Sequence, residues 1–402
     1  MTSLRVAYVL PDVGIPVGGT KGASVHVAEI CRAFTEVGAQ VTLVAQTMVG
    51  AAPPGVDTVH LPSGPYPRGP EGERARHDDL IRFYEQAEVA LEARRPDVVC
   101  ERLSLFAGGG ARLATRLGAG RVVEVNAPVA DERARYATLH QPDLAHACER
   151  QALAGARVVA VSDPLTHWAR QQGATRATTV PNGVDTSRFH PTSSAERLRV
   201  RSELGFEADH EVVGFVGSLK PWHGIDLLLE AMVRLARRRP RLRLLVVGDG
   251  PMAPAVDAAA SGSLAGRIVR TGPVHTDRVP RLVGSVDVAA APYRGREEFY
   301  FCPLKVVEAM ACAVPVVASA LPPIVTMLAG TGVLVPPDEV DGFVEAFDEL
   351  LSSGARAAAL GRAARVHAVA RYDWHAVARR ILVEANASRA DIPSSMATVT
   401  TR

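Results

Sequence analysis

Lysine is nearly missing from this chain: of 45 basic residues only three are lysines, Lys21, Lys220 and Lys305. All three fall in loop motifs, while arginine does the solubilising on helix surfaces. Net charge is also almost absent, at +2, which argues against a nucleic-acid binder. The five cysteines, at 31, 100, 148, 302 and 312, have neither metal-ligand spacing nor the layout of a disulfide framework, which suits a reducing cytosol. No run of 18 apolar residues occurs and the first residues enter a strand directly, so the expectation is a cytoplasmic chain without a membrane span or signal peptide. No Asp-x-Asp pair appears either, and no metal site is expected.

At 402 residues the chain is long for one core, and two domains are the prior. Short apolar runs such as Leu4–Leu10 and Val212–Val216 read as buried parallel strands, each followed by a glycine-bearing loop and an amphipathic helix. That is a βαβ pattern, whose ligands bind at the carboxyl edge of the sheet. Gly248-Asp-Gly-Pro251 follows a strand, but Pro251 and the missing third glycine argue against a nicotinamide site.

The most informative stretch is Phe299–Ser319, read as a loop, a short helix opening at Pro303, and a buried strand from Val316. The unpaired amides of a helix start and the positive end of its dipole make an anion site. Lys305 in that first turn opposes the dipole unless an anion is present, and Glu308 lies at i+3 on the same face. A diphosphate held by the amides and Lys305, with Glu308 on sugar or ribose hydroxyls, accounts for this choice of residues. A plain surface helix carrying a Lys–Glu pair accounts for them equally well.

Pro303-Leu-Lys-Val-Val-Glu-Ala-Met-Ala-Cys-Ala-Val-Pro-Val-Val-Ala resembles the donor-binding segment of glycosyltransferase family 4, in its Pro-Leu-Lys branch. Gly18-Gly-Thr-Lys-Gly-Ala-Ser-Val-His, Val180-Pro-Asn-Gly-Val-Asp185 and Gly217–Gly224 carry further likeness, which spans roughly residues 4 to 385. The resemblance implies an α/β protein of GT-B fold: two Rossmann-like domains facing across a cleft, with a last helix crossing back to the first. The corresponding division is an acceptor-side domain over 1–183, a nucleotide-sugar domain over 184–373, a returning helix over 374–386 and a disordered tail over 387–402.

The resemblance further implies metal-independent transfer of a sugar, with retained configuration, from a nucleoside-diphosphate sugar to a hydroxyl of a glycan, lipid or secondary metabolite. A UDP-sugar is the first choice of donor, no cofactor is expected, and a peripheral membrane contact is compatible with a lipid acceptor. Lys305 and Gly22 fall where the family stabilises the leaving diphosphate. Tyr300 stands where the family carries its first glutamate, and Glu297 or Glu298 is near enough to replace it, Glu298 being the choice for a catalytic role. Gly19, Ser218, Lys220, His223, Gly250, Val274, Cys302, Pro303, Leu304 and Glu308 correspond to donor contacts. Ser218 and His223 replace the usual arginine and lysine, and His223 is expected to offer the phosphates a hydrogen-bond donor. Polar residues at strand ends, Glu101, Arg102, Glu124 and Asn126, are acceptor-pocket candidates, though such residues also serve as structural caps. Two rivals share these features: a nucleotide-sugar 2-epimerase, and a nucleotide-sugar sensor that does not turn over.

Overall fold

A computed structural model describes residues 3–19, 21–295 and 299–391. The chain divides into two compact units, one running to Asn182 and resuming at Trp374, the other covering Gly183–Asp373.

The first unit is built from β1 (Arg5–Leu10), α1 (Gly22–Glu36), β2 (Gln40–Ala45), β3 (Val56–His60), α2 (Pro70–Glu92), β4 (Val98–Arg102), α3 (Gly110–Leu117), β5 (Gly120–Val125), α4 (Val129–Tyr136), α5 (Pro142–Leu153), β6 (Arg157–Ala160), α6 (Asp163–Gln171) and β7 (Arg176–Thr179). Its seven strands are parallel in the order β3-β2-β1-β4-β5-β6-β7. Alternate residues of a strand face opposite sides of the sheet. Val6, Tyr8 and Leu10 accordingly pack into one layer with α1, while Ala7 and Val9 pack into the other with α2 and α3. Both faces are covered, so β1 reads as one continuous apolar run rather than an alternating one.

The second unit contains α7 (Ser194–Glu203), β8 (Glu211–Val216), α8 (Ile225–Ala236), β9 (Leu242–Val247), α9 (Ala253–Ser261), β10 (Ile268–Gly272), α10 (Val279–Gly284), β11 (Val288–Ala291), α11 (Leu304–Ala311), β12 (Val316–Ser319), α12 (Pro322–Leu328), β13 (Val333–Val335), α13 (Val340–Ser352) and α14 (Gly354–Tyr372). Its six strands are also parallel, in the order β10-β9-β8-β11-β12-β13. In each unit the chain winds outward from one strand, β1 or β8, then returns to that strand's other side. Such a reversal opens a crevice at the carboxyl ends of the two strands.

The last helix, α15 (Trp374–Arg389), belongs to the first unit. Trp374, Val377, Ala378, Ile381 and Ala385 complete the layer formed by α1. Residues 387–391, expected as disordered, instead finish this helix and its turn. Ser388 is buried, and Asp391 ion-pairs with Arg157 at 2.9 Å and Arg176 at 2.7 Å. A small polar composition hid the fact that one face of this last turn packs on β5, where a Cβ on Gly120 would meet Ser388 Oγ. Residues 392–402 lie outside the described residues.

Candidate active site

The second unit's crevice is framed by the loops after β8, β9 and β11 and by the start of α11. Pro303 is the N-cap of α11 rather than its first helical residue, as expected from sequence, because its backbone is extended (φ −74°, ψ 112°). Leu304 and Lys305 therefore supply the first amides of the helix, which lack helical carbonyl partners. Lys305 lies over the carboxyl end of β8, with Nζ 3.9 Å from the centre of the Phe215 ring and 5.1 Å from that of Tyr293. Gly217 sits directly beside it, since a Cβ there would lie 3.2 Å from Nζ, and its φ of +130° excludes most side chains as well.

Though part of its stem is accessible, the ammonium of Lys305 is buried and has no hydrogen-bond partner. Burial pulls its pKa down to about 7, partly offset by the charge of Glu308. Burial likewise pushes Glu308 up to about 7, against the charges of Lys305 and Arg188. An ammonium resting on aromatic rings, beside free helix amides and without an anion, is a cation site lacking its counter-charge.

His223 does not offer the donor expected of it. Its Nδ1 lies 2.6 Å from the carbonyl of Ser218, which only accepts, so Nδ1 carries the proton and Nε2 is left as an acceptor. Burial, followed by the charges of Lys305 and Lys220, lowers its pKa to about 3 and keeps the ring neutral. Lys220 stands 5.7 Å from the Trp222 ring, and Ser218 is exposed. Gly250 donates its amide to Asp249 Oδ1 at 2.9 Å, and a side chain there would strike the backbone of Leu219. Val274 follows β10, whose Gly272 carbonyl accepts from Gly248 N at 3.0 Å and ties that loop to the crevice. Cys302 and Pro303 are buried and Leu304 is half-buried at the entry to α11. Tyr300 is buried against Phe301, with ring centres 4.5 Å apart, while Glu297 and Glu298 lie outside the described residues.

In the first unit, Arg102, Glu124 and Asn126 come together and Glu101 does not. Glu124 accepts from Tyr8 Oη at 2.6 Å and Asn126 Nδ2 at 2.7 Å, lies 3.5 Å from Arg102 Nη1, and pairs with His26. Burial alone would push Glu124 up, but His26, Arg102 and the Tyr8 hydroxyl outweigh it and hold the carboxyl well below the usual range. His26 in turn meets the Trp374 ring edge-on at 5.3 Å. Glu101 points to the opposite face, where Tyr84 donates to it and Arg121 lies 3.6 Å away. As a neighbour of Arg102 on one strand it had to point there. It is a buried structural carboxylate beneath α3.

Gly22 is the first residue of α1 and a Cβ on it would enter open space; one on Gly19 would crowd Pro16 and Ser24. Ser24 Oγ, in the first turn of that helix, is buried without a partner. A ligand-like cluster of Glu207, Asp209 and His210 lies just before β8, at the opposite end of the strands from Lys305. There His210 Nδ1 accepts from the Glu207 amide at 2.9 Å, a turn contact. Sequence reasoning missed Phe215 and Tyr293 beside Lys305, Phe299 packed on Tyr293, and Tyr8 beside Glu124. The run of aromatics at 293–301, in a chain only 5% aromatic, was the available signal for two of them.

Two family profiles match the chain, "Glycosyltransferase Family 4" over residues 20–188 and "Glycosyl transferases group 1" over residues 210–353. The second includes the crevice of its unit, and the first begins after β1. The chain belongs to glycosyltransferase family 4.

Among its relatives, a GDP-mannose-dependent alpha-(1-6)-phosphatidylinositol monomannoside mannosyltransferase of Mycolicibacterium smegmatis is 35% identical over 50% of this chain and 54% of its own. The family 4 chain thus spans about half the length of that curated relative. A D-inositol 3-phosphate glycosyltransferase of Xylanimonas cellulosilytica is 28% identical over 91% of each chain. Sucrose-phosphate synthase of Thermosynechococcus elongatus superposes with a TM-score of 0.72 at 20% identity, covering 96% of this chain and 99% of that one. The fold is GT-B, two parallel-sheet α/β domains. Among the described residues no helix is long and apolar enough to cross a membrane.

Proposed function

We propose that this family 4 chain transfers a sugar from a nucleoside-diphosphate sugar to an acceptor hydroxyl with retained configuration. The observation that carries this reading is the buried, unpartnered ammonium of Lys305 at the start of α11, over the end of β8. The diphosphate supplies the missing counter-charge, held by Lys305 and the amides of Leu304 and Lys305. As the bond from the sugar to the phosphate breaks, negative charge grows there, and a preorganised cation stabilises that state more than the ground state. The new bond forms from the acceptor oxygen to the anomeric carbon, and the acceptor proton passes to a phosphate oxygen on the same face. No side-chain nucleophile and no divalent metal enter this scheme. Glu308 binds donor hydroxyls.

His223 enters with a different role from the one expected of it. Its free Nε2 accepts a hydrogen bond, so it is suited to a donor hydroxyl rather than to a phosphate oxygen. UDP was the first choice of nucleotide, whereas the Mycolicibacterium relative is named for GDP-mannose, so both belong in the test. Nucleotide release should be followed with UDP-glucose, UDP-N-acetylglucosamine and GDP-mannose, each with and without inositol-type and glycan acceptors, in the presence of EDTA. Acceptor-dependent release from one donor supports transfer. Conversion of the donor to its 2-epimer, or binding without turnover of any donor, overturns it in favour of the epimerase or sensor.

A further inference from the structure

Every residue from Tyr293 to Gly295, just after β11, is fastened to a neighbouring element. Tyr293 is buried, with its ring centre 5.1 Å from Lys305 Nζ and its ring edge-on to His223 at 5.1 Å, so it lies beside two of the side chains that frame the crevice. Ser319 Oγ, at the end of β12, donates to its carbonyl at 2.6 Å. Arg294 donates its amide to the Trp222 carbonyl at 3.2 Å and forks its guanidinium between two carboxylates. One is Asp226 in the first turn of α8; the other is Asp338, 2.8 Å away in the loop after β13. Asp338 Oδ2 also accepts from Gly295 N at 2.9 Å, and a Cβ on that glycine would come within 2.7 Å of the same oxygen. The fork thus ties the loop after β11 to the start of α8 on one side and, on the other, to the loop after β13, two strands away.

Stability does not account for this arrangement. Asp338 holds a left-handed backbone (φ +65°), which a residue other than glycine adopts at a cost. The Arg294 and Asp338 side chains are 35% and 45% exposed, and ion pairs that water reaches contribute little. A strained residue paired at the surface is explained where it fixes the geometry of a working site. Tyr293 is held by Ser319 on its buried side and through Arg294 on its exposed side, and its ring is part of the aromatic surface beside the Lys305 ammonium. We infer that Arg294 and Asp338 are positioning residues for the transfer: they hold Tyr293 so that the Lys305 ammonium stands where the leaving diphosphate gathers charge. This deepens the transferase reading and rests on it. A displacement of about 1 Å at the ammonium loses little of the ground-state attraction to the donor, but it weakens a contact that strengthens in the transition state. Turnover therefore suffers more than donor binding.

Initial rates with a donor and acceptor that the wild type turns over, calorimetric titration with that donor, and thermal melting test the inference together. Asp338→Gly removes the carboxylate and relieves the left-handed backbone, so its melting temperature should hold or rise. Its kcat should nevertheless fall about tenfold, while donor Kd changes less than about threefold. Asp338→Asn tolerates the same backbone and keeps an acceptor oxygen, so it should recover to within about threefold of the wild-type kcat. Arg294→Lys, with one ammonium in place of a fork, should match Asp338→Gly. In the Lys305→Met background, Asp338→Gly should change kcat less than about twofold, because the group it positions is gone. Wild-type kcat in Asp338→Gly, no recovery in Asp338→Asn, or a further tenfold loss in the Lys305→Met background overturns the inference. If the wild type turns over a donor and Asp338→Gly does so equally well, only the positioning assignment falls. If the wild type turns over none, the transferase reading falls first and this inference falls with it.

Discussion

The crevices at β1/β4 and at β8/β11 occupy the same place in two sheets of the same kind, yet their charges are handled in opposite ways. At the first, the carboxylate of Glu124 is buried with opposite charge in contact: Tyr8 and Asn126 donate to it and His26 and Arg102 pair with it, although Arg102 Nη1 and the His26 nitrogens make no hydrogen bond. At the second, Lys305 is buried with aromatic rings for neighbours and no hydrogen-bond partner. A buried charge that folding itself completes contributes to the fold, because removing one partner strands the others. One that folding leaves incomplete costs stability and is kept for something that binds. Position in the fold thus marks where a ligand site can be, and the contrast between the two crevices lies in the charge: Glu124 has ion-pair partners within the fold and the ammonium of Lys305 has none.

The comparison is tested most strongly by removing its two central charges. Glu124→Ala leaves His26 and Arg102 buried without their counter-charge, a change that typically costs about 3–5 kcal/mol. Chemical denaturation should show that loss, while nucleotide-sugar binding by the folded protein stays near wild type. Stability near wild type would mean that the Glu124 cluster is not the structural half of the contrast. Lys305→Met should behave in the reverse sense. It keeps the aliphatic stem over Phe215 and Tyr293 but removes the unpaired ammonium, so the melting temperature should hold or rise. Turnover should fall about 10²-fold or more, the usual size of losing one such electrostatic contact. Wild-type turnover would return Lys305 to the surface-pair reading. Glu308→Gln should have a smaller effect, raising the KM for donor about tenfold with less change in kcat, as expected for a contact present throughout the reaction.

What was legible in the sequence follows from how local each signal is. The α11 segment could be read because proline, lysine and glutamate lie within six residues and the spacing of the last two fixes their shared face. The pairing of Phe215 with Tyr293 under Lys305 could not, since the two lie 78 residues apart and meet only when β8 pairs with β11. Glu101 was grouped with Arg102 by adjacency, where the two-residue period of a strand separates them. His223 was expected to donate from its residue type alone, but the carbonyl of Ser218 claims its proton, and that carbonyl is visible only in the fold.

The least of the expected effects concerns protons. The free protein holds Lys305 with a pKa of about 7, pulled down by burial. A diphosphate beside the ammonium favours its charged form, so the bound pKa lies higher. Between those two values, binding must take up a proton, and affinity must fall as pH rises. With a free pKa near 7, donor affinity should drop about fivefold from pH 7 to pH 8. Intact UDP-glucose or GDP-mannose is the ligand to use, because neither diphosphate diester titrates in this range, whereas a free nucleoside diphosphate does. Glu308, pushed up to about 7, titrates in the same window and must be separated from the lysine. Calorimetry at pH 8 in two buffers of different ionisation enthalpy reports the proton count directly. Uptake should persist in Glu308→Gln and vanish in Lys305→Met. Uptake that survives loss of the lysine but not of the glutamate would assign the proton to Glu308 and leave Lys305 charged in the free protein, its burial relieved by the aromatic faces alone.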